Sequence, residues 1–122
     1  MDIATQRRDE RLDKIFQHYG LKAQALQLCE ECGELIVAAS KLARDISPVN
    51  TARLAEEIVD VNIMCRQFLQ AMGDYPNRLI SDIAEEKIRR QLERIRIETG
   101  APLETRRSKN HVERRQNQAD GR

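Results

Sequence analysis

Two acidic pairs in this chain carry the spacing that chemistry needs. Glu31 and Glu34 are three residues apart, as are Glu57 and Asp60, and each pair follows another acid, Glu30 or Glu56. On a helix, residues three apart share a face. Both pairs border apolar positions: Leu28, Cys32 and Leu35 beside the first, Ile58 and Val61 beside the second. Carboxylates brought together repel one another, which raises their pKa values unless a cation joins them. Oxygen ligands without clustered histidines suit a hard cation such as Mg²⁺, Mn²⁺ or Ca²⁺. The plainer alternative is that these acids belong to solvated helix faces, the ordinary place for charge.

A basic row follows downstream. Lys87, Arg90 and Arg94 are spaced three and four apart and continue the line of Ile80 and Ile83. A stripe that begins apolar and ends cationic suits a polyphosphate, with Lys as a point charge and Arg as a fork. It equally suits a solvated helix end whose cations complement the C-terminal dipole.

The elements that must position these residues are helical. In the 122-residue chain 40% of residues are hydrophobic and 34% charged, with only 3% aromatic, 5 Gly and 3 Pro. Few turn formers and few aromatics exclude a β-sandwich or barrel. The expected fold is all-α: a bundle of three long helices plus a short N-terminal helix. The short helix is expected from about Thr5 to Tyr19, ended by Gly20. A second is expected from about Leu21 to Asp45, with Leu21, Ala25, Leu28, Cys32, Leu35, Ala39 and Leu42 as its seam. Pro48 and Asn50 break it, Asn50 serving as the next N-cap. The third spans about Thr51 to Met72, with Leu54, Ile58, Val61, Cys65, Phe68 and Met72 inward. After the turn Gly73-Asp74-Tyr75-Pro76, the fourth spans about Asn77 to Glu98, with Leu79, Ile80, Ile83, Ile88, Leu92 and Ile95 as core candidates.

A short connection makes the second and third helices antiparallel neighbours. Counting from the expected turn puts Glu34 and Asp60 within about 2 Å of the same height, and all four carboxylates within about two turns. The ordered domain is residues 1–99. Residues 100–122 hold too little apolar surface to fold and read as a disordered tail with a small basic excess. Long helices with narrow seams and a small core predict a homo-oligomer, a dimer or tetramer.

With the acids and the basic row in view, the chain resembles the all-α nucleoside triphosphate pyrophosphatases of the MazG-like group. That family's pattern is ExxE, a gap, then ExxD. Here it reads Glu31-Cys32-Gly33-Glu34, 22 residues, then Glu57-Ile58-Val59-Asp60, and EKIRRQLERI resembles the family's basic helix. The resemblance covers about residues 20–97. It implies Glu31, Glu34, Glu57 and Asp60 as Mg²⁺ ligands, with Mn²⁺ as a substitute, and Lys87, Arg90 and Arg94 as phosphate contacts. Gln91 stands where relatives often carry Asn or Arg. The implied reaction is hydrolysis between the α and β phosphates of a (d)NTP, releasing a nucleoside monophosphate and pyrophosphate. Glu30 or Glu31 takes the proton from water. With no tryptophan to stack on a base, the base contacts are drawn from His18, Gln24 and Gln27, beside Phe16 and Tyr19.

Other chemistries fit poorly. Cys29-Glu-Glu-Cys32 has no preceding strand for a thioredoxin-type site and too few companions for zinc. His18 and His111 lie in no Glu-x-x-His motif, which excludes a di-iron bundle. A net charge of +1 provides no electrostatic basis for nucleic-acid binding. No apolar run approaches the roughly 20 residues of a membrane span. The start MDIATQRRDERLDK reads as neither signal nor transit peptide, and three cysteines suit a reducing cytoplasm. The rival to the enzyme is a non-enzymatic helical dimerisation or adaptor module with solvated acidic faces.

Overall fold

The computed structural model describes residues 7–102, without the side chains of 74–78. The described residues are helical and contain no strand. There are three helices: α1, Glu10–Arg44; α2, Pro48–Met72; α3, Asp74–Thr99. The expected tail lies mostly outside the described residues.

Within α1 the backbone leaves helical geometry at Gly20, where the short N-terminal helix is expected to end, so residues 10–19 and 21–44 are two helical segments that meet at a kink. Asp9 is the N-cap of α1, its side chain accepting a hydrogen bond from the Arg11 backbone N–H at 3.0 Å, and the expected start near Thr5 lies outside the described residues. Gly20 then interrupts the helix with φ 83° and ψ 165°, a region open to glycine almost alone. No loop follows. Leu21, Lys22 and Ala23 resume helical geometry at once, so the two segments adjoin directly at Gly20.

The turn between α1 and α2 is shorter than expected. Ser47, not Asn50, is the N-cap of α2, with its Oγ accepting from the Asn50 N–H at 3.3 Å. Pro48 takes the first helical position, where its missing N–H costs nothing and its φ is already helical. Asn50 instead fastens the turn from inside, its side-chain amide donating to the Asp45 carbonyl at 2.8 Å. Helix α2 therefore starts three residues before the expected Thr51, and the pairing of heights across the hairpin moves with it.

Helices α1 and α2 pack against each other along their length. Gln24 Nε2 donates to Gln67 Oε1 at 2.6 Å in a buried rung. Phe16 and Phe68 meet edge to face, with centroids 5.2 Å apart. At the far end Gln70 clamps the start of α1. It accepts from the Asp9 N–H at 3.1 Å, and donates to the Asp9 carbonyl at 3.0 Å and to Asp13 Oδ1 at 2.9 Å.

The facing seams keep much of what was expected, with Ala25, Leu28, Cys32, Leu35 and Leu42 shielded on α1 and Leu54, Val61 and Phe68 on α2, but their most buried positions lie to one side of it. On α1 the shielded row is Gln24, Leu28, Glu31, Leu35, Ala38 and Leu42; on α2 it is Leu54, Glu57, Val61, Met64 and Gln67–Phe68. Leu21, Ala39, Ile58, Cys65 and Met72, expected inward, are exposed. The core is thin, with Leu12, Ala38 and Met64 as its buried hydrophobic residues.

By its contacts the chain divides into two compact units that meet between Asp82 and Ile83. Helix α3 crosses that boundary. Of its expected core residues, Ile80 is half-buried, and Leu79, Ile83, Ile88, Leu92 and Ile95 are exposed. Along the second unit Glu86 binds both Arg89 and Arg90, and Glu93 binds Arg96.

Candidate metal and phosphate site

The facing seams take in two acids beside the expected apolar residues. Glu31 stands in the α1 row one position before Cys32, and Glu57 in the α2 row one position before Ile58. The Gln24–Gln67 rung sets the register. Seven residues along from it, Glu31 comes opposite Asp60; ten residues along, Glu34 comes opposite Glu57. The expected level pairing of Glu34 with Asp60 is off by about one turn, the consequence of the earlier start of α2.

Each of Glu31, Glu57 and Asp60 offers a carboxylate oxygen, and the three oxygens lie within 4.8 Å of one another. Glu31 is oriented from its own helix by Gln27, whose Nε2 donates to Glu31 Oε1 at 2.7 Å. Glu57 is the most constrained member. Burial pushes its carboxyl above the ordinary range. The charges of Glu34, Asp60 and Glu31 push the same way. Glu57 Oε2 is buried with no hydrogen-bond partner. A buried, unpartnered carboxylate oxygen is costly. A hard cation is the partner an all-oxygen donor set would accept, so these residues fit Mg²⁺ or Mn²⁺.

A cavity of about 720 Å³ opens beside this cluster, toward the α1–α2 turn. Glu34 and Glu57 belong to its wall, with Glu30 and Glu56 alongside, and Lys41 and Arg53 nearer the turn. Lys41 and Arg53 were not among the residues singled out from sequence. The signal was present: Lys41 lies seven residues after Glu34, two turns along one face, and Arg53 four before Glu57.

The other expected site residues are placed as follows. Gln27 reaches the cluster through Glu31. Gln24 is committed to the buried rung with Gln67. His18 lies on the surface, edge to face with Tyr19 at 4.7 Å. Lys87, Arg90 and Arg94 are exposed on α3 in the second unit. There Arg90 Nε is paired with Glu86 Oε1 at 2.9 Å, and Lys87 and Arg94 form no ion pair with a described residue.

Comparison of the chain with family models, with curated proteins and with solved structures returns no match.

Proposed function

We propose that this protein is a Mg²⁺-dependent nucleoside triphosphate pyrophosphohydrolase of MazG-like type, cleaving a (d)NTP between its α and β phosphates. The observation that carries the reading is the buried, unpartnered Glu57 Oε2 close to three further carboxylates, Glu31 on the facing seam and Glu34 and Asp60 at its exposed edge. Glu31, Glu34, Glu57 and Asp60 would hold the metal. When bound, the ion neutralises phosphate oxygens and lowers the pKa of water.

The protein's own groups do the rest. Gln27 orients Glu31 and so commits it to the metal side. Glu30, exposed on the cavity wall, is the better placed of the two candidate bases, and its carboxylate takes the proton of the attacking water. Lys87, Arg90 and Arg94, in the second unit, are phosphate contacts on the strength of the family resemblance alone. His18, Gln24 and Gln27 remain the base-side candidates, with Gln24 and Gln27 already engaged.

The same reading includes a homo-oligomer. Ile36 is 69% exposed, Ile58 50% and Leu92 61%, apolar surface that a second copy would cover. Those exposed faces also favour the second reading, a helical dimerisation or adaptor module without catalysis. No described helix is long and apolar enough to cross a membrane.

The deciding experiment is incubation with a panel of NTPs and dNTPs plus Mg²⁺, with product analysis. Monophosphate and pyrophosphate in equal amounts support the enzyme. No turnover of any nucleotide, together with a melting temperature indifferent to Mg²⁺, supports the adaptor.

A further inference from the structure

The α1–α2 hairpin has two unlike sides. One carries the cavity, with Glu30, Glu34, Lys41, Arg53 and Glu56 around it. The other carries a row on each helix, beside the packed seam, without a single charge. On α1 that row is Ala25, Cys29, Cys32, Ile36 and Ala39, spaced four and three apart. On α2 it is Ala55, Ile58, Asn62, Cys65 and Leu69, spaced three and four apart. In a chain with 34% charged residues, composition alone would put about three charges among ten such positions. Ile36, Ile58, Cys29 and Cys65 on this side are exposed. Partial burial and the charge of Cys32 push the Cys65 thiol above its ordinary range, as rows lying side by side require.

The two rows are complementary in size at equal heights. Counted from the Gln24–Gln67 rung, Ile36 and Ala55 are each twelve residues along. Ile58 is nine residues along, level with Cys32 and Gly33. A large side chain on one helix thus stands level with a small one on the other. A two-fold axis running along the hairpin lays α1 of one copy over α2 of the next at unchanged heights. Ile36 then meets the partner's Ala55, and Ile58 meets the partner's Cys32. A charged partner would bury its charges unpaired on this face, whereas an identical face brings none. The size also suits a second copy. Residues 21–43 of α1 span about 33 Å and two helices side by side about 20 Å. Roughly 660 Å² per copy, or about 1,300 Å² in all, lies within the range of stable interfaces.

We propose that this uncharged face is the self-association surface of the chain. Two hairpins close on each other about that axis, α1 of each over α2 of the other, as a four-helix core. The proposal rests on the homo-oligomer of the reading above and assigns it a surface. The cavity and the acids around it stay on the outer side of each copy.

The test is analytical ultracentrifugation of the full chain across a concentration series, with thiol labelling by iodoacetamide on the same samples. Wild type is expected to dimerise. Its Cys29 and Cys65 should react at least tenfold more slowly above the association midpoint than below it. Ile36→Glu/Ile58→Glu should raise the dissociation constant at least a hundredfold. Leu26→Glu/Val59→Glu makes the same chemical change at exposed residues off this face, and should leave it unchanged. Because a charge variant can also fail to fold, a size exchange keeps the test decisive. Ile36→Ala and Ala55→Ile should each weaken association, and the double variant Ile36→Ala/Ala55→Ile should recover most of it. A dimer that survives Ile36→Glu/Ile58→Glu, or leaves Cys29 and Cys65 equally reactive, overturns the face and leaves the homo-oligomer standing. Equal loss in Leu26→Glu/Val59→Glu overturns it too. Additive losses in the size exchange overturn the placing of α1 over α2. A wild type that stays monomeric at every concentration, or uses this face to bind phosphatidylcholine vesicles instead, overturns both face and homo-oligomer. Nucleotide hydrolysis is assayed separately and decides the enzymatic reading whichever way association falls.

Discussion

Glu57 is the residue on which most depends. Its carboxylate sits in the shielded row of α2, faces three other acids and leaves Oε2 without a partner. In the absence of metal it works against the fold. Glu57→Gln removes one negative charge and supplies an amide donor at the same place. The variant should melt higher than wild type in chelator and lose the Mg²⁺-induced rise. Wild type at 100 times Kd gains about 2.7 kcal/mol. A Glu57→Gln protein less stable than wild type in chelator would count against the crowding of charge argued here. Lys87 belongs to the other half of the proposed chemistry. Lys87→Ala should keep the metal-induced rise while kcat/KM for a triphosphate falls at least tenfold, about 1.4 kcal/mol of transition-state stabilisation. Unchanged hydrolysis would remove Lys87 from the site. Glu86 behaves in the opposite sense to Glu57. Hydrogen bonds from Arg89 and Arg90 hold its carboxyl down at about 2. A depressed carboxyl contributes stability above its unfolded value, about 4.3, and loses it as pH falls toward the folded one. An NMR titration should find Glu86 ionised well below pH 4, and Arg89→Gln/Arg90→Gln should return it toward the ordinary value.

At the scale of the element, the α1–α2 hairpin is held in register by polar groups as much as by apolar ones. Gln24 and Gln67 are both buried and satisfy each other. Truncating one leaves the other buried and unpaired, which costs about 1–3 kcal/mol, whereas replacing both with apolar residues of similar shape is nearly neutral. Gln67→Leu alone should therefore destabilise more than the double variant Gln24→Leu/Gln67→Leu, as measured by denaturant melts. Additive losses in the double variant would mean that the rung carries no coupling. The heights of the acids depend on this register and on the turn. Ser47 caps α2 and Pro48 starts it, so the hairpin is closed by three residues and the acids meet one turn away from a longer-loop pairing.

At the scale of the molecule, thin burial is the dominant fact. Among the described residues three hydrophobic side chains are buried, while Leu26, Ile36, Ile58, Leu92 and Ile97 are among many left exposed. Apolar area removed from water contributes about 25 cal/mol per Å², and an isolated chain forgoes much of it. Self-association recovers it. Analytical ultracentrifugation at micromolar concentration should give a dimer or tetramer, with a melting temperature that rises with protein concentration. A monodisperse monomer would contradict the assembly.

The helical class was legible from the residues alone. Apolar residues at spacings of three and four, scarce turn formers and the absence of alternating strands left no other architecture, and the described residues bear this out. The acidic pairs and their approximate proximity were legible too, because rise per residue and a short connection constrain heights. What composition and period do not determine is helical phase. Ile58 and Cys65 make a more apolar row with Leu54 and Val61 than Glu57 and Met64 do, and a reading that maximises apolar content chooses the former. Packing against α1 chose the latter, since the rung of Gln24 with Gln67 and the ring pair of Phe16 with Phe68 set the facing sides. The start of α2 was undetermined for a similar reason: Ser47 and Asn50 are both good caps, and only the closed turn assigned one to the helix and the other to Asp45. Lys41 and Arg53 were plain in the sequence as charges on helices. Their place at one end of a cavity whose other end is acidic is a property of two helices side by side, and so belongs to the tertiary structure.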